Sequence, residues 1–369
     1  MAKKKKEQVT NPTLVQFMAD MEDTFGENAL VEFGDGIANV ETIPTGIPSL
    51  DLATGVGGLP RGRIVEIYGP EGAGKTTVLI KAMATAQTMK DKLPRMTFAS
   101  NDKVKPLTGR VGLLDVEHAF DPSLARLHGL KMGKGSGFYF DQPTGGDEAL
   151  QKLEYMINSN LFDIVGIDSV AGLTTLDEQN STIGDRTIAS TAQLMSASLK
   201  KLISMISISR TVVVFINQVR DKPAVQYGSS ETTTGGRALK FYASMRMRIA
   251  KGEPLNEGAN RIGHQMKINI VKNKVAPPFE NTVVDLYYKA SEKKNKEGGF
   301  DIFSNLLLTA KETGIVELSG SQYRYIDKET GEIHKSNGLV AWKIYLEERP
   351  EIMAKITDEI LGGDIIVSK

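Results

Sequence analysis

The 369-residue sequence contains no cysteine. That excludes disulfides, thiolate metal sites and cysteine nucleophiles, and it suits a reducing compartment. Net charge is also lacking, since 45 Lys and Arg balance 45 Asp and Glu. With no global positive field, any polyanionic partner must be met by a local basic surface. No apolar run approaches the roughly 18 residues of a membrane span. Met1 leads into Lys3–Lys6 without the apolar segment of a secretory leader. These absences predict a soluble cytoplasmic protein. What is present is a globular composition, 40% hydrophobic and 24% charged with 36 glycines, neither disordered nor fibrous. The length allows two domains, or one large domain with an appendage.

The pattern predicts three regions, 1–39, 40–290 and 291–369. In the first, a basic tail precedes a helix with Asn11 as cap, Pro12 in the first turn and Gly26 as stop. Leu14, Phe17, Met18, Met21 and Phe25 share one face of it. Asp20, Glu22 and Asp23 would be repelled by anionic lipid, so packing on this chain or on a second copy is expected instead. In the second region, strand-like runs at 63–69, 111–116, 163–168 and 211–217 are followed by helical stretches at 75–90, 121–129 and 186–209. This is the alternation of an α/β fold with a mostly parallel sheet. Segments near 241–250, 266–272 and 282–288 are expected to extend the sheet, and 89–110 reads as an insertion. A polar linker at 291–299 leads to a small α+β domain with helices near 300–312, 338–348 and 350–361 and a hairpin around 327–332. No internal repeat is visible.

The sharpest motif is GPEGAGKT at 69–76, which fits the phosphate-binding pattern G-x-x-x-x-G-K-[ST]. It follows a strand and opens a helix, as its mechanism requires. Backbone N–H groups of Gly69, Pro70 excepted, through Glu71, Gly72, Ala73, Gly74, Lys75, Thr76 and Thr77 would wrap a nucleotide's phosphates at a helix N-terminus. Lys75 would reach the β- and γ-phosphates, and the Thr76 hydroxyl would ligate Mg2+. Such a site needs a carboxylate near the metal at a neighbouring strand end. DIVGIDS supplies Asp168, although apolar strands also end in Asp as a turn or cap. Glu117, after strand VGLLDV, is the candidate to activate water, and neighbouring His118 reads as structural. Gln218, at the end of TVVVFINQ, is either a γ-phosphate sensor or a polar strand terminus. Two irregular polar stretches, near 177–189 and 219–240, leave the same sheet edge as candidate binding loops.

Together the strings VETIPTGIPSLD (40–51), GGLPRGRIVEIYGPEGAGKTT (57–77), LLDVEHAFDP (113–122), DIVGIDSVAGLT (163–174), FINQVR (215–220), ETTTGGRALKFYASMR (231–246) and VKNKVAPPF (271–279) resemble the bacterial RecA recombinase family. The resemblance implies a P-loop NTPase core with an N-terminal helical arm and a small C-terminal domain. It implies a DNA-dependent ATPase that uses ATP and Mg2+. Such a protein forms a helical filament on single-stranded DNA and pairs that strand with homologous duplex in recombination and repair. Single-strand-binding and loader proteins are further partners of that kind of activity.

Carried over by position, Glu117 matches the water-activating glutamate, Asp168 the magnesium-associated aspartate and Gln218 the γ-phosphate sensor. Asp121 and Tyr288 match adenine-side positions, and Lys272 and Lys274 the paired lysines that reach ATP on an adjacent subunit. The implied DNA-side positions are Arg186, Ile188, Ser196, Lys200, Arg220, Lys222, Val225, Gly235, Gly236 and Arg237. Leu124 stands where many members stack a tyrosine on adenine, and Asp221, Pro223 and Gln226 replace apolar loop residues. The sequence also closes on GGDIIVSK rather than on an acidic tail. A ring helicase built on a similar core is the alternative, with a P-loop kinase a more distant one.

Overall fold

The computed structural model describes residues 12–26, 40–89, 108–181, 190–221, 231–291 and 298–362. The expected insertion at 89–110 falls almost wholly outside these residues, as does most of the linker at 291–299.

The N-terminal unit holds α1 (Pro12–Phe25). Its end follows the expected stop: Gly26 takes φ 96° and its N–H donates to the Glu22 carbonyl at 2.8 Å. Leu14, Val15, Phe17 and Phe25 are exposed.

The second unit begins with β1 (Thr42–Ile43), α2 (Pro48–Ala53) and β2 (Leu59–Pro60). Next come β3 (Ile64–Gly69), α3 (Lys75–Thr88), β4 (Val111–Asp115), α4 (Pro122–Leu127), β5 (Phe138–Asp141), α5 (Gly146–Asn158) and β6 (Ile164–Asp168). They are followed by α6 (Leu176–Asn180), α7 (Ser190–Ser209), β7 (Val212–Asp221), β8 (Glu231–Thr233) and α8 (Ala238–Tyr242). Three long strands, β9 (Met245–Glu257), β10 (Asn260–Asn273) and β11 (Asn281–Tyr287), lead to the two-residue β12 (Gly299–Phe300). The chain closes with α9 (Ile302–Glu312), β13 (Val316–Ser319), β14 (Gln322–Ile326), β15 (Ile333–Asn337), α10 (Leu339–Glu347) and α11 (Pro350–Gly362).

The main sheet has the order β12-β11-β10-β9-β3-β7-β6-β4-β5, with β8 added to β7. Pairings from β5 across to β9 are parallel, and those from β9 to β12 antiparallel. The continuous apolar run of β7 is explained by burial on both faces. Val212, Val214 and Ile216 join Val78, Leu79 and Met83 of α3 in one core. Val213 and Phe215 face Leu153 of α5 and Leu199 and Ile206 of α7 in the other.

The structure corrects several boundaries. β5 and α5 were not expected from the sequence, and β7 runs four residues beyond the expected end, to Asp221. The stretch 219–240 is therefore not wholly irregular: Val219, Arg220 and Asp221 pair antiparallel with Thr233, Thr232 and Glu231 as a short ribbon. Within 177–189, residues up to Asn180 belong to α6. Gly299 and Phe300, read as part of the C-terminal domain, complete the main sheet by pairing with Tyr287 and Leu286. Beyond them the expected α+β segment has its own core around Trp342, Tyr325 and Ile356. It docks on α2, where Asn305 Nδ2 donates to Ser49 Oγ at 2.7 Å and Asn305 Oδ1 accepts the Ser49 N–H at 2.9 Å.

Candidate nucleotide site and its link to the loops

Ligand crevices in open α/β sheets lie at the carboxyl ends of the parallel strands. Here β3, β4 and β6 end together beside Gln218 of the longer β7, and their registers set the site. Gly69 pairs with Gln218, and Asp115 with Asp168. A cleft of about 290 Å³ opens there, lined by Lys75, Thr76, Glu117, Asp168, Gln218 and Tyr288 among others.

The loop at 69–76 leads into α3 with Gly74 as N-cap at φ 95°. That conformation favours glycine, and a Cβ on Gly74 would lie 2.2 Å from Met266 Cε, so the methionine end would have to move as well. Lys75 is buried and donates to the Pro70 carbonyl at 2.8 Å. Burial holds its pKa below the usual lysine range, against the opposing charges of Asp168, Glu117 and Glu71. The Thr76 hydroxyl donates to Asp168 Oδ2 at 2.5 Å. Burial pushes the Asp168 carboxyl up to about 6; the Thr76 bond opposes this, and the charges of Glu117 and Asp115 add to it.

These groups fit magnesium: hard oxygens, a buried carboxylate and excess negative charge. Among the described residues there is no cluster of three or more metal-ligating His, Asp or Glu side chains. A metal at Thr76 and Asp168 would therefore draw its other oxygens from nucleotide and water, as in phosphate-loop sites.

Glu117 stands exposed at the mouth, where its Oε1 accepts from Ser169 Oγ and from Gln218 Nε2, the latter at 2.9 Å. His118, at φ 56°, does not line the cleft. Asp121 caps α4, its Oδ1 accepting the Ser123 N–H at 2.7 Å and the Leu124 N–H at 3.3 Å, while Leu124 lines the cleft. Lys272 and Lys274 are not among the lining residues. Their ammonium groups rest on carbonyls near the end of α8: Lys272 on Lys240 at 2.6 Å and Phe241 at 3.1 Å, Lys274 on Phe241 at 3.2 Å.

Of the DNA-side candidates, Ser196 and Lys200 lie exposed one turn apart on α7, and Arg220 and Arg237 are exposed beside the ribbon. Gly235 and Gly236 both take φ 77°, and a Cβ on Gly236 would sit 2.8 Å from Ala192 Cβ. Arg186, Ile188, Lys222 and Val225 lie outside the described residues.

Several residues that matter were missed. Asn217 ties the cleft to the second loop: its Oδ1 accepts the Gln218 N–H at 2.9 Å and the Thr234 hydroxyl at 2.5 Å, and its Nδ2 donates to Glu66 at 2.9 Å and to the Thr234 carbonyl at 3.1 Å. Glu66 in turn accepts from Arg246 Nε at 2.5 Å, and Arg248 holds Glu231 with two bonds of 2.8 and 2.7 Å. A charged residue inside the apolar strand IVEIYG was the available signal. His264 also lines the cleft, and Lys251 approaches the phosphate loop closely, its Nζ 3.0 Å from where a Gly72 Cβ would be.

Residues 13–292 match the family described as RecA N-terminal domain. The chain is 40% identical over 344 residues to the Protein RecA of Ruminococcus albus, spanning 93% of this chain and 78% of that one. It is 37% identical over 358 residues to the Protein RecA of Dichelobacter nodosus, spanning 95% and 93%. With the Protein RecA of Staphylococcus aureus it shares 40% identity over 338 residues, spanning 91% and 88%.

Proposed function

The chain belongs to the bacterial RecA family, and from that footing we propose that its cleft hydrolyses ATP and that hydrolysis is coupled to single-stranded DNA. It is a recombinase, a member of a family that binds single strands, forms filaments and acts in homologous recombination and repair. No finding favours the helicase alternative. The observation that carries the coupling is the run of bonds from Glu117 through Gln218 and Asn217 to Thr234, joining the water-activating position to the stem of the second loop.

In the reaction, Lys75 exchanges the Pro70 carbonyl for phosphate oxygens and neutralises charge that builds in the transition state. Glu117 orients water and accepts its proton, held in place by Ser169. Gln218 turns its amide to the γ-phosphate and thereby leaves Glu117; through Asn217 this move is felt at Thr234. Magnesium held by Thr76 and Asp168 supplies Lewis-acid stabilisation of the phosphates when bound. Lys272 and Lys274, remote from this cleft, complete the site of an adjacent protomer, which links hydrolysis to assembly. Ser196, Lys200, Arg220 and Arg237, with backbone N–H groups of Gly235 and Gly236, take the DNA backbone. Arg186, Ile188, Lys222 and Val225, which lie outside the described residues, are the remaining DNA-side positions that the resemblance implies.

The test is ATP turnover with and without single-stranded DNA, followed by strand exchange on the same preparation. Strong stimulation and joint molecules are expected. Unstimulated turnover would sink the coupling, and unwinding of a fork without joint molecules would point to a helicase.

A further inference from the structure

The wall of the cleft beyond the phosphate loop contains a histidine that no part of the hydrolytic chemistry uses. His264 lies on β10 opposite Leu286 of β11, and Tyr288 follows β11 immediately, its N–H donating to the Ile262 carbonyl at 2.9 Å. The two antiparallel strands thus bring the imidazole of one against the phenol of the other. His264 Nδ1 and the Tyr288 hydroxyl share a hydrogen bond of 3.0 Å, with ring centroids 5.6 Å apart and planes tilted by 45°.

The two side chains differ sharply in exposure: His264 is 1% exposed and Tyr288 49%. The buried ring also lies against the Ala73 backbone, and its Nε2 is sealed from solvent without a well-formed hydrogen bond. Its Nδ1 is thus spent on a half-exposed side chain that lines a ligand cleft, not on a core group. Leu124 lines the same cleft. An aliphatic face gives contact without the stacking preference of a ring. Of the aromatic side chains lining this cleft, Tyr287 and His264 are buried and Tyr288 alone is half-exposed, and a half-exposed tyrosine is a poor platform unless something fixes its torsions. Ordering it in advance removes an entropic cost from binding.

We propose that His264 is a positioning residue that locks the half-exposed Tyr288 ring as an aromatic platform for the nucleotide base, and that this pair sets a preference for purine over pyrimidine nucleoside triphosphates. The inference rests on the reading of the cleft as an NTP site. Leu124, Leu286 and the Tyr288 ring offer an apolar slot whose contact area with a bicyclic base exceeds that with a monocyclic one.

The experiment compares wild type, His264→Phe, Tyr288→Phe and the double variant as full chains. Steady-state turnover is measured with ATP and with UTP, and binding of a fluorescent ATP analogue is measured directly. Each single variant is expected to raise KM for ATP, and Kd for the analogue, roughly 3- to 10-fold, the range of one lost hydrogen bond. The kcat with ATP should stay within about twofold, and the ATP-over-UTP preference should narrow. The double variant should be no worse than the poorer single one, since both remove the same bond. Additive losses, a fall in kcat with KM unchanged, or an unaltered ATP-over-UTP ratio in both singles would overturn the proposal. Tyr288→Phe changes a half-exposed group and keeps the ring, so it remains informative if His264→Phe fails to fold. A wild-type protein that bound no nucleoside triphosphate would instead overturn the reading of the cleft itself.

Discussion

Lys75 and Asp168 face each other across a desolvated corner, and each is shifted toward its neutral form by burial. A bound nucleotide and cation relieve both, one by pairing the ammonium with phosphate and the other by pairing the carboxylate with metal. Lys75→Ala should abolish ATP hydrolysis while leaving the circular dichroism and melting cooperativity of the fold intact; wild-type turnover would refute the site. Glu117→Gln should lower kcat by about 10²- to 10⁴-fold, the range of a lost general base, with nucleotide affinity nearly unchanged in equilibrium binding. The pH dependence follows from Asp168. Its folded pKa of about 6 lies above the ordinary 3.8, so the nucleotide-free native state holds a proton that the unfolded chain has lost. That contribution to stability is fully present below about 4 and is lost as pH rises toward 6. Asp168→Asn should flatten this part of the stability curve in denaturant titrations. Magnesium-dependent nucleotide binding should show the opposite trend, weakening as pH falls through 6 because the proton occupies the ligand.

At the scale of elements, the proposed coupling runs from Gln218 into the ribbon of β7 and β8. Thr234→Val removes the hydroxyl that Asn217 accepts while keeping shape. Basal ATPase should stay within about threefold, whereas stimulation by single-stranded DNA should drop several-fold in the same assay; equal loss of both would place Thr234 outside the coupling. The helix α1 is 14 residues long with a largely exposed apolar face, and helices of that length are marginal alone in water. Deleting residues 1–26 should weaken filaments in electron micrographs far more than ATP binding; unchanged filaments would refute packing of α1 on a second copy.

The same elements show what a reader of the sequence could see. The phosphate loop, Asp168 and Glu117 were legible because each ends or closely follows a buried strand, and Gln218 because it follows the buried apolar run of β7, although that strand continues to Asp221. The start and stop of α1 were legible from Pro12 and Gly26. FYFD was not, since β5 is a four-residue edge strand whose Tyr139 and Phe140 are both exposed, leaving no alternation. Helix α5 does space Ala149, Leu150, Leu153 and Ile157 correctly, but it begins at a glycine pair without a side-chain cap. Asn217 and His264 escaped for another reason: their importance lies in partners 17 and 24 residues away, which no local pattern reports.

At the scale of the whole molecule, zero net charge means that attraction to a polyanion must come from the cations beside the loops. Affinity for single-stranded DNA should therefore fall steeply with salt. If three phosphates are neutralised, the loss between 50 and 200 mM is roughly 20-fold, measurable by fluorescence anisotropy; a flat response would rule out a backbone-dominated contact. In the isolated protomer, Lys272 and Lys274 are lodged on the carbonyls that finish α8, the helix that begins just after Gly235 and Gly236. A side chain extended to a neighbour's triphosphate cannot also stay lodged there. If the two lysines serve an adjacent site as proposed, each subunit that joins would free the carbonyls at the end of the short helix behind the glycine pair, so that assembly would be felt one helix away from the second loop.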